Sequence, residues 1–487
     1  MNNVLKDLKP ALLWHIFEEI CSIPHPSGHE AAARDYLVSL AKQHKLEYKI
    51  DDAGNLLIRK AASPGYENLK TVVLQGHIDM VPQKNSDKMH DFEKDPIEVM
   101  IDGEWVTANG TTLGADNGIG VAAAMALLCS NDIEHGPVEA LFTIEEETGM
   151  AGAFGLKPGF INGDIMLNTD SEDEGELYIG CAGGINGSFD FFCKEENTPS
   201  DHIAYSLSIT GLKGGHSGLD INLGRGNANK ILFRYLRHAY AKHDVRLASV
   251  NGGSLRNAIP REAFAVITLP ASNQTDFEKC LKDYTATIVA ELSRTEPDLK
   301  IEAQKTDLPA SVIDKDAYEK LIKALYACPN GVIRMSDSMS GLVETSTNLA
   351  IVKSQKGKIN VLCLLRSSVD TAKKDLQNMI SSVFELAGAE IVFDGDYPGW
   401  KPNPDSAILT TMKSVYNKRF GRVPEIMAIH AGLECGLIGG VYPNLDMISF
   451  GPTIRFPHSP DEKVNIESVE KFWIFLAETL KNIPSKA

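Results

Sequence analysis

Four short motifs in the first third of the chain carry side chains that could bind a cation or transfer a proton. These side chains are His77 and Asp79 in "GHID", Asp116 in "LGADNG", Glu145, Glu146 and Glu147 in "TIEEETG", and Asp170 in "NTDSE". Each motif stands at the end of a predicted apolar strand or just past it. In open α/β sheets, ligands bind in the crevice beyond the carboxyl ends of the strands. We therefore expect these groups to meet at one edge of a sheet.

A pair of divalent metal ions is the simplest explanation for so many acidic groups at one edge. Taken singly, each motif has an ordinary alternative, since an Asp at a helix start is usually an N-cap and a Glu triplet is usually a solvated turn. Taken together, buried carboxylates repel one another unless they are protonated or paired with positive charge. Imidazole and carboxylate ligands suit zinc, and also cobalt or manganese. His458 in "PHSPDE" supplies a second imidazole far along the chain, so the middle of the chain would be an insertion.

The segments around these motifs alternate between strand-like and helix-like patterns, which predicts an α/β domain with a mainly parallel sheet. The runs "TVVLQG", "VEALFTI" and "DIMLNTD" are short and apolar, as is typical of buried strands. Residues 117–130 form a helix of small residues suited to close packing on a sheet. The segment "LEYKIDDAGNLLIRK" is expected to be a hairpin.

The middle of the chain has a different pattern. Two segments that begin at Arg256 and Thr347 look like rough copies of each other, each with a strand, a long amphipathic helix and a second strand. This predicts an inserted α+β domain of two similar lobes at 187–396, with 1–186 and 397–487 together forming the catalytic domain. Two unrelated strand–helix–strand units that only look alike are the alternative.

Composition argues against some protein classes. A length of 487 residues predicts roughly two or three domains. A formal net charge of −17 argues against a nucleic-acid-binding protein, which normally carries a basic patch. The eight cysteines are scattered without a CxxC pair, as expected of reduced thiols. The start of the sequence has no secretory signal pattern and no apolar run reaches membrane-spanning length, so we expect a soluble cytoplasmic protein without membrane or nucleic-acid partners.

The motifs "GHIDMVP", "LGADNGIG", "EEETG", "NTDSE" and "PHSPDE", in this order, resemble those of the co-catalytic two-zinc peptidases and aminoacylases. The resemblance extends over essentially the whole chain and includes "CSIPHPSGHE" and "LKGGHSGLDI". It implies a two-zinc exopeptidase-like α/β catalytic domain with an inserted α+β lid.

The same resemblance implies a metal ligand set. Asp116 would bridge two zinc ions in each subunit. Cobalt or manganese ions could replace the zinc. His77 and Asp170 would complete one site, and Glu147 and His458 the other.

Two further acidic residues receive roles from the resemblance. Asp79 would orient His77, as the partner of a ligating histidine usually does. Glu146 would be the general base, taking a proton from a metal-bridging water and later delivering it to the leaving amine. Glu145 stands where many relatives carry Asp, a departure expected to be harmless.

The resemblance assigns substrate contacts to the inserted domain and the tail. His216 would stabilise the oxyanion and, in homodimeric members, reach the partner's active site, and Asn257 would reach across similarly. Arg366 would bind the substrate carboxylate. Arg suits this role better than Lys because its planar guanidinium can donate two parallel hydrogen bonds to a carboxylate. Gly432 would offer backbone contacts near a helix start. The ordinary alternatives are a structural histidine in a glycine-rich turn and a surface arginine at a strand end.

These roles predict metal-dependent hydrolysis of unblocked dipeptides with broad specificity, Xaa-His dipeptides included, by a homodimer formed through the lid. Dipeptidase and aminopeptidase members carry Asp at the position of Asp170, whereas acylase members tend to carry Glu. An N-acyl amino-acid amidohydrolase remains the first alternative, and a catalytically inactive binding protein on the same fold is the second.

Overall fold

The computed structural model describes residues 4–486. This part of the chain divides into two compact units. The first comprises the chain up to Gly180, Pro402–Ala428 and Leu433 onwards, and the second comprises Cys181–Lys401 and Ile429–Gly432.

The helices are α1 (Ala11–Cys21), α2 (Ala31–Gln43), α3 (Ala115–Cys129), α4 (Ala151–Gly155), α5 (Ala228–His243), α6 (Gln274–Leu292), α7 (Lys315–Ala327), α8 (Asp370–Leu386), α9 (Ala407–Phe420), α10 (Glu434–Val441) and α11 (Ile466–Lys481). The strands are β1 (Glu47–Ile50), β2 (Leu56–Lys60), β3 (Val72–His77), β4 (Val99–Asp102), β5 (Trp105–Ala108), β6 (Val138–Thr143), β7 (Ile165–Asn168), β8 (Glu176–Cys181), β9 (Gly183–Phe192), β10 (Glu195–Asn197), β11 (His202–Thr210), β12 (Gly215–His216), β13 (Arg246–Gly252), β14 (Ala258–Ile259), β15 (Ala263–Pro270), β16 (Lys300–Thr306), β17 (Ser311–Ile313), β18 (Gly331–Met335), β19 (Val343–Gln355), β20 (Lys358–Ser367), β21 (Glu390–Tyr397), β22 (Glu425–Ile429), β23 (Asp446–Ser449), β24 (Ile454–Arg455) and β25 (Lys463–Asn465).

The main sheet of the first unit has the strand order β1-β2-β6-β3-β7-β23-β8-β22. Its four central strands, β6, β3, β7 and β23, are parallel, and every residue of β3, β6 and β7 is buried. Apolar runs form such strands because both faces of a parallel sheet are covered. The expected parallel sheet is thus confirmed for the centre, whereas β1, β2 and β8 pair antiparallel, β1 and β2 as the predicted hairpin.

Two glycines allow α3 to approach the ends of the central strands. A Cβ atom on Gly76 of β3 would lie 2.2 Å from Asn117 Oδ1, and one on Gly120 of α3 would lie 2.2 Å from Thr169 Oγ1. Larger residues at either position would push the helix away. The close approach brings Asp116, at the start of α3, to the end of β3.

The second unit is built on a nine-stranded sheet with the order β16-β11-β15-β13-β19-β20-β9-β21, in which β18 also pairs with β19. In one half, β15 and β16 are joined through α6 and flank β11; in the other, β20 and β21 are joined through α8 and flank β9. The unit extends beyond 187–396 at both ends, because β9 begins at Gly183 and Cys181 forms a bridge with Trp400.

None of the helices within residues 4–486 has both the length and the hydropathy that are needed to cross a bilayer.

Candidate metal centre

Three parallel strands bring acidic motifs to one edge of the sheet. In register, Gln75 of β3 pairs with Asn168 of β7, and His77 pairs with Thr143 of β6. These strands therefore end at nearly the same level. The residues that follow them, including Glu146 and Asp170, lie at the carboxyl edge where open sheets bind ligands.

Asp116 lies between two histidines. Its Oδ1 is 3.2 Å from His77 Nε2, and its Oδ2 is 3.3 Å from His458 Nε2. The backbone at Asp116 is not helical, with φ −83° and ψ 109°, so the carboxylate stands at the mouth of α3. A carboxylate with one oxygen toward each imidazole has the arrangement that a bridging ligand requires.

The predicted ligands form two groups that share Asp116. In one, ligand atoms of His77, Asp116 and Asp170 lie within 4.8 Å of one another; in the other, those of Asp116, Glu147 and His458 do. His77, Glu146 and Glu147 also meet this distance. The two groups that share Asp116 together contain all five residues that the sequence suggested as ligands.

Two buried oxygens in these groups lack hydrogen bonds. Asp170 Oδ1 lies 3.1 Å from His77 Nε2, and Glu147 Oε1 lies 2.9 Å from His458 Nε2, yet neither oxygen accepts a hydrogen bond of acceptable geometry. A buried acceptor left without a partner is costly. A divalent cation coordinated by both members of each pair would satisfy these oxygens, so the residues present fit a pair of metal ions.

The electrostatics of the cluster favour added positive charge. The neighbouring carboxylates of Asp116 and Glu147 raise the pKa of His458 to about 11, although burial opposes this. Burial raises the pKa of Asp170 to about 7. Among residues 4–486, the only basic side chains within ion-pair distance of these carboxylates are the imidazoles of His77 and His458. Metal cations are the charges that suit such a donor set.

Asp79 connects His77 to the turn that carries Glu146. His77 Nδ1 lies 3.4 Å from Asp79 Oδ1 and 3.0 Å from the Asp79 backbone oxygen, which leaves Nε2 directed at Asp116. The Asp79 carboxylate also accepts hydrogen bonds from the backbone N–H groups of Glu146 and Glu147, at 3.0 and 3.2 Å. Burial would raise the pKa of Asp79, but His77 and the other donors lower it to about 2. Asp79 thus lies beside His77, where the predicted orienting role requires it, and that role stays a prediction. The hydrogen bonds from Glu146 and Glu147 to Asp79 were not foreseen.

Glu146 is a buried carboxyl beside the two groups. Burial raises its pKa to about 9, with Asp170 and Glu434 adding to the rise and His77 opposing it. Positive charge placed beside this carboxyl would lower its pKa again. Glu146 can therefore both take up and release a proton, which is the chemistry of a general acid or base.

Glu462 was missed by the sequence reasoning, although it lies in the same motif as His458. Its two oxygens accept hydrogen bonds from four consecutive backbone N–H groups, those of Leu113, Gly114, Ala115 and Asp116, at 2.8–3.2 Å. The first turn of α3 has no side-chain cap of its own, because its N-cap is Gly114. A helix start without a capping side chain needs an acceptor from elsewhere in the chain. The Gly at the start of α3 was therefore the sequence signal that a distant acceptor such as Glu462 was required. Glu462 thus ties the loop of His458 to the loop of Asp116.

The substrate-contact residues suggested by the sequence meet in the second unit. His216 of β12 pairs with Ala258, next to Asn257. Arg366 Nε is 3.4 Å from the hydroxyl of Ser217, which follows His216. A Cβ on Gly218 would lie 2.0 Å from the backbone oxygen of His430, which is two residues before Gly432.

Arg366 is a buried cation without an acidic partner. It is 6% exposed, and no carboxylate of residues 4–486 lies within 4 Å of its guanidinium. Its contacts are the hydroxyls of Ser217 and Tyr397. Burial, and then Arg366, lower the pKa of His216 and bring that of His430 to about 3. Arg366 is therefore a buried positive charge beside His216 and His430, and such a group suits a carboxylate ligand.

Comparison with known proteins places these residues in a family context. Residues 73–482 match peptidase family M20/M25/M40. The cytosol non-specific dipeptidase of Escherichia coli (strain K12) is 48% identical over 482 residues, which cover 99% of both chains. The crystal structure of aminoacylhistidine dipeptidase from Vibrio alginolyticus has a TM-score of 0.96 and 52% identity, with 99% of each chain covered. Aminopeptidase PepT from Bacillus cereus shares the fold at 16% identity, with a TM-score of 0.60 over 98% of this chain and 99% of its own.

Proposed function

The chain belongs to peptidase family M20/M25/M40, and on that premise we propose that it hydrolyses unblocked dipeptides, Xaa-His dipeptides included, with two zinc ions bound in its first unit. The observation that carries the proposal is the position of Asp116, with one carboxylate oxygen toward each of two imidazoles. The dipeptidase activity named for the Escherichia coli and Vibrio alginolyticus relatives supports it.

The proposed ligand set divides into two sites. His77 and Asp170 hold one ion, Glu147 and His458 hold the other, and Asp116 belongs to both. The unsatisfied oxygens of Asp170 and Glu147 support this division. Imidazole and carboxylate donors suit zinc, although cobalt and manganese accept the same ligands. When bound, such a metal pair polarises the scissile carbonyl and favours ionisation of the attacking water.

Glu146 carries the proton in the proposed reaction. Its carboxylate accepts a proton from the attacking water as the water oxygen bonds to the scissile carbon. When the carbon–nitrogen bond breaks, Glu146 donates that proton to the leaving amine. Asp79 holds both the His77 ring and the Glu146 backbone, so it fixes the base relative to the metal ligands.

The two ends of the dipeptide are recognised by opposite charges in this proposal. Arg366, which has no acidic partner among residues 4–486, binds the free carboxylate, and the acidic groups around Asp116 bind the free amine. His216 stabilises the oxyanion, and Asn257 and the backbone at Gly432 contact the substrate. In this proposal, binding of both free termini favours dipeptides over longer peptides.

Assembly and location complete the proposal. The protein is a homodimer joined through the second unit, in which Leu219, Leu223 and Leu255, near the loops of His216 and Asn257, are more than half exposed. Its molar mass in solution is the test of that state. A cytoplasmic location is supported by the name of the Escherichia coli relative.

A substrate panel tests the activity. With zinc present, free dipeptides such as Ala-His and Ala-Ala should be cleaved, whereas their N-acetyl derivatives and tripeptides should be cleaved far more slowly. The reason is that both free termini take part in binding. Faster cleavage of the N-acetyl derivatives would favour an amidohydrolase, and no cleavage of any compound by the zinc-loaded protein would favour a binding protein.

The carboxylate contact has its own prediction. Arg366→Ala should lower kcat/KM for free dipeptides by about 10- to 100-fold, mainly through KM, because a hydrogen bond to a charged group contributes about 1.5–3 kcal/mol. Wild type should prefer a dipeptide over its C-terminal amide, and the variant should have lost that preference. Arg334→Ala, which removes an exposed arginine of the same unit, is the matched control. An Arg366→Ala enzyme that still prefers the free carboxylate would contradict the assignment.

A further inference from the structure

A row of buried polar side chains crosses the parallel core of the first unit. It consists of Thr143 of β6, Gln75 of β3, Asn168 of β7 and Ser449 of β23, with Glu434 of α10 at one end, and we call these five residues the polar row. All five are at most 1% exposed. The four strand residues come from four neighbouring strands of the sheet, and Gln75, Asn168 and Ser449 are paired in register.

Such a row is unusual because strands that are covered on both faces are normally apolar. Polar groups in such a place destabilise the fold unless each is hydrogen-bonded. The four strand residues of the row meet that condition. Gln75 Oε1 accepts from Asn168 Nδ2 at 2.5 Å, and Asn168 Oδ1 accepts from Ser449 Oγ at 2.5 Å.

Glu434 is the acidic end of the row, and burial raises its pKa to about 7. Its Oε2 accepts hydrogen bonds from Gln75 Nε2 at 2.6 Å and from Thr143 Oγ1 at 2.7 Å. Its Oε1 is buried without a hydrogen bond. Among residues 4–486, no Lys, Arg or His lies within ion-pair distance of this carboxylate. Glu434 is therefore held by neutral donors alone.

Glu434 Oε2 sets the direction of the hydrogen bonds in the row, because it accepts from both Gln75 Nε2 and Thr143 Oγ1. Gln75 must turn its NH2 group toward Glu434 and its oxygen toward Asn168. Asn168 must then donate to Gln75 and present its own oxygen on the other side. That oxygen accepts from Ser449 and from the backbone N–H of Asp170, at 3.2 Å.

Three of the four strands of the row are followed within a few positions by a residue of the metal centre. Gln75 is two residues before His77, and Asn168 is two residues before Asp170 and bonded to its backbone. Thr143 is three residues before Glu146. The row thus lies next to the carboxyl ends of β3, β6 and β7. The positions of these strand ends determine the positions of the predicted ligands and of Glu146.

We propose that Glu434 is a positioning residue for the metal centre, which acts through Gln75, Thr143 and Asn168 to hold the ends of β3, β6 and β7 in the arrangement that binds metal. The proposal rests on the proposed function, since it assumes that His77 and Asp170 are ligands. It requires an acceptor at Oε2 and not a charge, so glutamine can replace Glu434 by placing its amide oxygen there.

Zinc affinity is the decisive measurement, made by competition with a chromogenic chelator in the absence of substrate. Glu434→Leu should bind zinc about 10- to 100-fold more weakly, the usual effect of losing a residue that orients ligands, and should have a lower kcat with little change in KM. Glu434→Gln should bind zinc nearly as wild type does. Zinc affinity and kcat equal to wild type in Glu434→Leu, or an equal loss in both variants, would overturn the proposal.

A buried carboxylate at the other end of β6 gives the matched control. Glu139 is 3% exposed and bonded to Arg59 and Asn162. Glu139→Leu should lower the melting temperature without changing zinc affinity. If Glu434→Leu cannot be purified, Ser449→Ala removes one donor of the row and should weaken zinc binding by roughly 2- to 10-fold; unchanged affinity there would also overturn the proposal. Dipeptide cleavage by the wild type judges the proposed function separately from these affinities.

Discussion

Replacing Glu146 by glutamine is expected to lower kcat by about 10²- to 10⁴-fold, the usual contribution of a general acid–base group, while the protein keeps its zinc. Glutamine has nearly the same size as glutamate but cannot accept the proton of the attacking water. The backbone N–H of residue 146, which Asp79 holds, is unaffected by the change. Steady-state kinetics on a free dipeptide, together with zinc content by mass spectrometry, provide the measurement.

Glu145 offers a matched control on the same turn, because it belongs to none of the candidate ligand groups among the described residues. Glu145→Gln should retain kcat and zinc content close to those of the wild type. If Glu146→Gln kept full activity, another group would have to carry the proton. If it lost zinc together with activity, Glu146 would be a ligand, as its proximity to His77 and Glu147 allows.

The sequence allowed the centre of the fold and the members of the cluster to be predicted, because both depend on local signals. Buried parallel strands are short apolar runs, and β3, β6 and β7 match the runs that were identified. The residue types that bind metals are few, and His77, Glu146, Glu147 and Asp170 stand at or just past the ends of those strands. Asp116, at the start of α3, and His458, after β24, were placed in the same ligand set by the family resemblance of their motifs.

What the sequence could not indicate depends on partners that are distant in the chain. Gln75 lies within the run "VVLQG", which reads as an ordinary buried strand, and its partner Glu434 is 359 residues away. Glu462 caps a helix that begins 347 residues before it, as measured at Ala115. The antiparallel edge strands and the start of the second unit at Cys181 likewise follow from pairings between distant segments, which no local pattern encodes.

Loss of Asp116 should remove both metal ions, because Asp116 belongs to both of the proposed ligand sets, with His77 and Asp170 in one and Glu147 and His458 in the other. We expect wild type to bind two zinc ions per chain, Asp170→Ala or His458→Ala to bind at most one tightly, and Asp116→Ala to bind neither tightly and to be inactive. The stoichiometries follow from equilibrium dialysis with zinc. Asp164→Ala is the matched control, since this Asp lies before the start of β7, at the opposite edge of the sheet, and accepts a hydrogen bond from the backbone of Thr71.

Thermal unfolding gives a second test of the bridging role of Asp116, and this test does not depend on enzyme activity. A ligand present at 100 times its dissociation constant stabilises the folded state by about 2.7 kcal/mol per site. Removing zinc from the wild type with a chelator should therefore lower the unfolding temperature clearly. The same treatment should leave Asp116→Ala nearly unchanged, because that variant has no tightly bound zinc to lose. A chelator-dependent shift as large as that of the wild type would mean that metal binds without Asp116, and the bridging role would then be wrong.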